Sequence, residues 1–183
     1  TVVYGPGGGI SWIDSATLYQ LLKECDYVLL SRGELDAVTS CPSHTEGAGR
    51  LLESGVRNVI VTLGSDGSEC HSRGAGRSPW YGSSWNGRAG DVAHDMVNGS
   101  SNGRGTNTVL RAESFRVTNV VDTTGAGDSF AAGFITGLLR GFDIVECLER
   151  GNACAALAIQ KTGAREAMPT SEELEEFLRY AER

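Results

Sequence analysis

Short apolar segments alternate with amphipathic helical segments over the first part of the chain. The segment Asn58–Leu63 contains an uninterrupted apolar run, which is typical of a parallel strand covered on both faces. Tyr27–Leu30 and Thr1–Tyr4 are predicted to be two further strands. Because parallel strands need crossover connections, and helical patterns separate these segments, the alternation predicts an α/β fold with a layered sheet.

Paired residues mark the predicted starts of several helices. A Ser, Thr or Asp followed three positions later by Glu forms a capping box, in which each side chain binds a free backbone N–H group at the helix start. The pairs are Ser43 and Glu46, Asp143 and Glu146, and Thr170 and Glu173. We predict a helix after each pair, the second running to about Lys161. The last helix carries an apolar stripe that we expect to pack on the sheet, formed by Leu174, Phe177, Leu178 and Ala181.

The segment 71–112 interrupts the alternation. It is rich in Gly, Ser, Asn and Arg and has no sustained apolar periodicity. Loops of this length are uncommon inside compact domains, and this composition is typical of disorder. We predict a flexible insertion at 71–112 within a single domain that covers residues 1–183.

Charge and hydropathy restrict the class of partner. The chain of 183 residues has a formal net charge of -7, which argues against general binding to nucleic acid because such binding needs an excess of Lys and Arg. No apolar run approaches the roughly 20 residues of a membrane helix, and the N-terminus shows no signal-peptide pattern. We expect a cytoplasmic protein with a small-molecule substrate, no nucleic-acid partner and no membrane contact.

The cysteines and histidines show no pattern of a metal or redox site. The five cysteines are widely spaced, without Cys-x-x-Cys pairs. Cys147 and Cys154 lie seven positions apart on one predicted helix, so they share a face and are expected to fill core space. We predict that His44, His71 and His94 are surface residues, since their surroundings along the chain are polar and lack ligand spacing.

A turn of small residues follows the predicted strand Phe115–Val121. Gly125, Ala126 and Gly127 open a helix there. Backbone N–H groups at a helix N-terminus lack intrahelical partners, so a turn without bulky side chains lets phosphate oxygens approach them. Asp128 stands at the mouth of this predicted anion hole, where a carboxylate can accept the proton of an attacking hydroxyl. A second interpretation is that Asp128 only interacts with the helix dipole.

The turn matches neither the Walker loop nor the Gly-x-Gly-x-x-Gly dinucleotide loop. The segment Val121–Gly133 instead resembles the C-terminal signature of the ribokinase-like (PfkB) family of carbohydrate and nucleoside kinases. Thr62–Gly67 resembles the family's T-x-G-x-x-G turn beside the nucleotide, and Gly151–Ala164 resembles its following helix and loop. The resemblance implies a ribokinase-like α/β/α sandwich with a mainly parallel sheet. It also implies transfer of the ATP γ-phosphoryl group to a primary hydroxyl of a sugar.

The resemblance implies roles for individual residues. Asp128 would be the general base, and Gly125, Ala126 and Gly127 would form the anion hole. The residues implied at the ATP site are Thr62, Gly64, Gly67 and Asn152, the last of them near the adenine. The residues implied at a monovalent cation site, such as one for K⁺, are Asp122, Thr124 and Ala164.

By this resemblance Glu34 would correspond to the acid of the family's N-x-x-E motif, which orders Mg²⁺ through water. In this chain Ser31 occupies the Asn position of that motif. Serine is shorter than asparagine and lacks the amide, so we expect both the metal and the phosphate contacts of the motif to differ at this corner. A second interpretation is that Glu34 simply opens a helix.

The 183 residues do not include the family's N-terminal half, which carries a Gly-Gly motif, most acceptor contacts and a small β lid. We therefore expect a fragment of a longer chain that is inactive on its own, and the resemblance allows a homodimer through the missing lid. Nucleosides such as adenosine are the alternative acceptors. A non-catalytic relative that keeps the fold for interaction or regulation is the alternative from another class. Ser31, the basic insertion and the missing lid favour it, and the intact Asp128 with its anion hole opposes it.

Overall fold

The computed structural model describes residues 1–73 and 107–181, which form two compact units. The first unit contains residues 1–63, 69–73 and 107–110. The second unit contains residues 64–68 and 111–181. Each unit has a buried apolar cluster of its own.

Five strands of the described residues form one sheet. They are β1 (Val3–Tyr4), β2 (Tyr27–Ser31), β3 (Asn58–Thr62), β4 (Ser68–Arg73) and β5 (Asn107–Ala112), which lie in this order across the sheet. β1 pairs parallel with β2, and β2 pairs parallel with β3 in a register that places Leu29 beside Ile60. The predicted α/β fold with a mainly parallel sheet is confirmed.

Three helices of the first unit pack around this sheet. They are α1 (Ser15–Lys23), α2 (Arg32–Thr39) and α3 (His44–Glu53). Leu22 of α1 and Leu51 of α3 are fully buried in one cluster with Val61 of β3. The predicted start of α3 is confirmed, because Ser43 Oγ accepts a hydrogen bond of 3.2 Å from the N–H group of Glu46.

The two ends of the predicted insertion 71–112 are ordered strands. Residues 71–73 belong to β4 and residues 107–112 to β5, so the boundaries of the prediction were wrong. Sheet pairing satisfies the backbone groups of these residues and overrides their polar composition. The remainder of the predicted insertion lies outside the described residues.

The surface prediction for His71 was wrong. This side chain belongs to the inner strand β4 and is 2% exposed. Its Nε2 lies 2.9 Å from Oε2 of the buried Glu69, and Nε2 of the half-buried His44 lies 3.2 Å from the same oxygen. Buried polar groups need hydrogen-bond partners, and the partner of His71 is Glu69, which lies two residues earlier in β4. His94 lies outside the described residues.

Three helices dominate the second unit. They are α4 (Ala126–Leu139), α5 (Ile144–Ala158) and α6 (Ser171–Tyr180). Complete capping boxes open α5 at Asp143 and α6 at Thr170, which confirms both predicted helix starts. α5 ends at Ala158, three residues before the predicted end at Lys161.

The predicted strand Phe115–Val121 is absent, since this described segment contains no regular secondary structure. The backbone N–H groups of Val121 and Asp122 instead donate to the carbonyl of Ile159, which follows the end of α5. Phe115 packs edge-to-face against Phe177 of α6, with ring centroids 5.1 Å apart. The stripe of α6 therefore packs on Phe115 and on α5 of the same unit.

Helices α4 and α5 approach closely through glycines. A Cβ atom at Gly133 would lie 2.6 Å from the carbonyl oxygen of Arg150 and 2.8 Å from Cys154 Sγ, and one at Gly137 would lie 2.9 Å from Cys147 Sγ. Both thiols are buried, as predicted, and burial raises the pKa of Cys147 to about 12 and of Cys154 to about 11. These cysteines therefore fill core space as neutral thiols.

Gly133→Ala should destabilise the second unit by about 1–3 kcal/mol, because the new methyl group collides with backbone and overpacked cores resist such insertions. The helix-propensity gain of about 1 kcal/mol acts in the opposite direction and is smaller. Gly49→Ala in α3 is the matched control, since a Cβ atom there meets nothing within 4 Å. Denaturant unfolding should show stabilisation by Gly49→Ala and destabilisation by Gly133→Ala; equal stabilisation by both would contradict the close approach of α4 and α5.

Candidate active site

Gly125 sets the geometry at the start of α4. It is the N-cap residue, with φ of 77° and ψ of 4°, in the left-handed region that favours glycine. Its carbonyl accepts the first helical hydrogen bond, 2.8 Å from the nitrogen of Ser129. A Cβ atom at Gly125 would lie 3.0 Å from the Cα of Ala164. Backbone conformation and the contact with Ala164 therefore both require glycine here.

The N-terminus of α4 has donors that no protein acceptor uses in the described part of the chain. The cap residue has no side-chain hydrogen bond, and the N–H group of Ala126 donates back to the carbonyl of Thr123 at 3.2 Å. The N–H groups of Gly127 and Asp128 belong to the first turn, where helices have no internal acceptors. A Cβ atom at Gly127 would meet nothing within 4 Å. This open cradle of N–H groups fits a phosphate group.

Asp128 is exposed in the first turn of α4. Its carboxylate lies on the same turn as the two free N–H groups, so the base candidate and the anion-hole candidates are held by one short piece of backbone. Local structure thus brings together the residues predicted to activate a hydroxyl and to bind the transferred phosphoryl group.

Asp122 fixes the loop that leads into this turn. Its Oδ1 accepts from the N–H group of Thr124 at 2.9 Å, and its Oδ2 accepts from the N–H group of Gly163 at 3.1 Å. Hydrogen bonds from Thr124, and then from Gly163, hold the pKa of Asp122 below its usual range. The carboxylate thereby ties the loop before α4 to the loop after α5, where Ala164 backs Gly125.

The predicted cation residues Asp122, Thr124 and Ala164 belong to this same loop pair. Both carboxylate oxygens of Asp122 accept backbone hydrogen bonds there, so the carboxylate has a structural role whether or not a cation binds. The residues described by the structure contain no group of three or more His, Cys, Asp or Glu side chains arranged to hold a metal ion.

Gly64 and Gly67 bound a short 3₁₀ turn, Gly64–Asp66, in the second unit. Both adopt left-handed conformations, with φ of 63° and 87° respectively. The exposed Gly64 faces open space, whereas a Cβ atom at the buried Gly67 would collide with the carbonyl oxygen of Ala112. Gly67 therefore permits a close backbone crossing, and Gly64 leaves room above the turn.

Asn152 is buried in α5 and is bonded to backbone. Its Nδ2 donates to the carbonyl of Ala112 at 3.1 Å and to that of Glu113 at 3.0 Å. Sequence reasoning placed this residue near the adenine and missed the two carbonyl partners. No local pattern indicates them, because Ala112 and Glu113 are about 40 positions away along the chain.

Glu34 and Thr62 belong to the first unit. Ser31 is the N-cap of α2, and its N–H group and Oγ both donate to Glu34 Oε2, at 2.7 and 2.8 Å. The complete capping box bears out the interpretation that Glu34 opens a helix. Ser31 is also opposite Thr62 in the parallel pair β2–β3. Thr62 is the last residue of β3, and Glu34 lies just after the carboxyl end of the adjacent β2, at the edge where α/β sheets bind ligands.

The predicted site residues are thus distributed over both units. The second unit contains Gly64, Gly67, Asp122, Thr124, the turn Gly125–Asp128, Asn152 and Ala164, and the first contains Glu34 and Thr62.

Every helix among residues 1–73 and 107–181 falls short of the length and apolar character that a membrane span requires.

Comparison with known proteins gives a consistent result. Residues 98–171 match the sequence model of the pfkB family carbohydrate kinases. The chain is 33% identical over 171 residues to an uncharacterized sugar kinase of Archaeoglobus fulgidus, covering 93% of this chain and 54% of that protein. It is 30% identical over 168 residues to 5-dehydro-2-deoxygluconokinase of Bacillus subtilis, covering 90% of this chain and 42% of the relative. The chain spans about half the length of these curated relatives.

The fold is also shared with a solved structure. The ribokinase of Arabidopsis thaliana, complexed with ribose and ATP, superposes with a TM-score of 0.65 at 25% identity. That match covers 88% of this chain and 43% of the ribokinase. The likeness therefore extends over nearly all of these residues and over less than half of the solved chain.

Proposed function

We propose that this chain, whose residues 98–171 match the pfkB family carbohydrate kinases, forms the nucleotide-binding and catalytic half of an ATP-dependent sugar kinase. The observation that carries the proposal is the open N-terminus of α4, where free N–H groups and the exposed Asp128 occupy one turn. Phosphoryl transfer depends mainly on positioning and charge stabilisation, and this turn offers a group for each task. A cytoplasmic location is part of the proposal, since ATP is the donor.

In the proposed reaction, Asp128 accepts the proton of the acceptor's primary hydroxyl. The hydroxyl oxygen forms a bond to the γ-phosphorus of ATP, and the bond from that phosphorus to the β–γ bridging oxygen breaks, so that ADP leaves. The N–H groups of Gly127 and Asp128 stabilise negative charge on the transferred group. Gly125 and Asp122 hold the turn in the conformation that points these groups outward.

Thr62, Gly64 and Gly67 are proposed to line the ATP site, as the family resemblance implies. Magnesium, when bound, would neutralise charge on the nucleotide phosphates. A half-buried carboxylate is a suitable oxygen ligand for its water shell, and Glu34 is the residue proposed to hold it. We also propose, from the same family resemblance, that Asp122, Thr124 and Ala164 bind a monovalent cation.

The acceptor class is proposed to be a sugar or sugar acid, because the Bacillus subtilis relative is a 5-dehydro-2-deoxygluconokinase. The full-length gene product should be assayed for ADP release with MgATP and 5-dehydro-2-deoxygluconate, ribose or adenosine. Turnover with either of the first two supports the sugar kinase. Preference for adenosine would favour a nucleoside kinase. Failure with all acceptors, together with intact ATP binding, would favour a non-catalytic relative, for which the Ser31–Glu34 capping box already supplies a structural role for Glu34.

Two variants of Glu34 separate its capping role from its proposed magnesium role. Glu34→Gln retains a capping-box side chain but loses the charge, whereas Glu34→Ala loses both. We expect Glu34→Gln to weaken ATP binding only when Mg²⁺ is present and to keep the melting temperature near that of the wild type. Glu34→Ala should additionally lose about 1 kcal/mol of stability. Calorimetric titration with and without Mg²⁺ measures the first effect, and unchanged binding by Glu34→Gln in Mg²⁺ would remove Glu34 from the metal site.

A further inference from the structure

Both N–H groups of the Asn152 side chain are hydrogen-bonded to backbone carbonyls. The residue is 7% exposed, and its Nδ2 makes both hydrogen bonds to the carbonyls of Ala112 and Glu113 described above. An amide nitrogen has two hydrogens to donate, so both are used. A nucleotide base that needed a donor from this side chain would have to break a buried hydrogen bond.

The segment that Asn152 binds also holds the turn Gly64–Gly67. The oxygen of Ala112 abuts Gly67, and the Cα of Glu113 lies 2.9 Å from where a Gly67 Cβ would be. Flanking side chains add two hydrogen bonds: Ser114 Oγ donates to the carbonyl of Ser65, and Arg111 Nη2 donates to that of Asp66 at 3.1 Å. Residues 111–114 therefore contact three consecutive residues of the turn, and we call them the strap.

Asn152 and Gly67 both contact the carbonyl oxygen of Ala112. Because Asn152 fixes the Ala112 carbonyl from the side of α5, it also fixes the surface on which Gly67 packs. Gly67 is buried and has a left-handed backbone, so the turn has little freedom to adjust if that surface moves. A change in the hydrogen bonds of Asn152 is thus transmitted to the turn through the strap.

We propose that Asn152 is a positioning residue that holds the nucleotide turn Gly64–Gly67 through the strap, and that its amide N–H groups do not bind the adenine. This inference rests on the proposed function, because it concerns the turn assigned to ATP. Asn152 acts on affinity for the nucleotide through the shape of the turn. It takes no part in proton transfer, which is assigned to Asp128.

Asn152→Asp keeps the size of the side chain, removes both donors and places a carboxylate oxygen opposite the carbonyls of Ala112 and Glu113. In the full-length protein we expect the KM for ATP to rise at least about tenfold, because both buried hydrogen bonds that hold the strap are lost. kcat and the KM for the acceptor should change little, which separates positioning of the nucleotide from general damage. Gln160→Ala is the matched control, since among the described residues that amide donates to the carbonyl of Ala156 alone, four residues before it, and the variant should alter none of these constants.

A second nucleotide distinguishes positioning from contact with the base. If Asn152 acts through the turn, Asn152→Asp should weaken ATP and GTP by the same factor. A loss confined to ATP would show direct recognition of adenine and would overturn the proposal. An unchanged KM for both nucleotides would overturn it as well.

Hydrogen exchange measures the strap without any assay of activity. In the full-length protein, Asn152→Asp should accelerate exchange of the backbone N–H groups of residues 64–67, and Gln160→Ala should not. If exchange is accelerated in Asn152→Asp but the wild type never turns over ATP, the positioning role of Asn152 is supported and the proposed kinase activity is refuted. If the wild type is a kinase but exchange is unaltered in Asn152→Asp, the positioning role of Asn152 is refuted. If Asn152→Asp does not fold, Ser114→Ala decides between these outcomes, because it removes one hydrogen bond at the turn side of the same strap.

Discussion

Asp128→Asn should lower kcat of the full-length protein by about 10²–10⁴-fold, the usual contribution of a general base. The KM for ATP should stay nearly unchanged. The amide has the size of the carboxylate and leaves the first turn of α4 intact, but it cannot accept the proton of the acceptor hydroxyl. A loss in kcat without a loss in nucleotide affinity is the signature of an interaction used in the chemical step.

Asp143→Asn is the matched control for this variant. Asp143 caps α5 through a hydrogen bond of 2.9 Å from the N–H group of Glu146, and Asn is an equally good cap. The same chemical change at another helix start should therefore leave kcat and KM unaltered. If Asp128→Asn retains more than about a tenth of the wild-type kcat, outside the range of a lost general base, Asp128 is only an acid near the helix dipole.

Gly125→Val should reduce ATP affinity and kcat together. The new side chain would lie against the backbone of Ala164 and would force a β-branched residue into a left-handed conformation. The turn must then move, and the N–H groups of Gly127 and Asp128 move with it. Loss of one donor from an anion hole costs about 10²–10³ in kcat, so we expect a reduction of at least this size.

Gly141→Val separates backbone strain from damage to the site. Gly141 follows α4 with φ of 76°, almost identical to that of Gly125, but a Cβ atom there meets nothing within 4 Å. We expect Gly141→Val to lower the melting temperature while the folded protein keeps its kcat and its KM for ATP. If both variants lose activity equally, strain in α4 explains the effect, and Gly125 has no special role in the anion hole.

The elements of this fold that the sequence predicts are those with a local physical cause. The capping boxes at Asp143 and Thr170 operate over three residues, and the apolar run in β3 must be buried whatever its neighbours are. The turn Gly125–Asp128 is local in the same sense, because small residues at a helix start expose N–H groups in any context. These features established the α/β class and the catalytic candidates before any tertiary contact was known.

Other features depend on partners that are distant in the sequence. Phe115–Val121 has the composition of a strand, yet its end is bonded to the carbonyl of Ile159 and Phe115 packs on α6. His71 has polar neighbours along the chain, yet β4 lies inside the sheet and buries it beside Glu69. In both cases pairing and burial outweigh local preference, as is usual for segments with strand-like composition.

The candidate site divides in the same way. From sequence alone, Asp128 and its anion hole followed from a single turn, and the roles of Glu34 and Asn152 followed from a family resemblance. Only the tertiary structure shows that Glu34 is held by Ser31 and that Asn152 binds the strap beneath Gly67. A hydrogen bond between residues 40 positions apart leaves no periodic trace in the sequence, because its partner is a backbone carbonyl that every residue possesses.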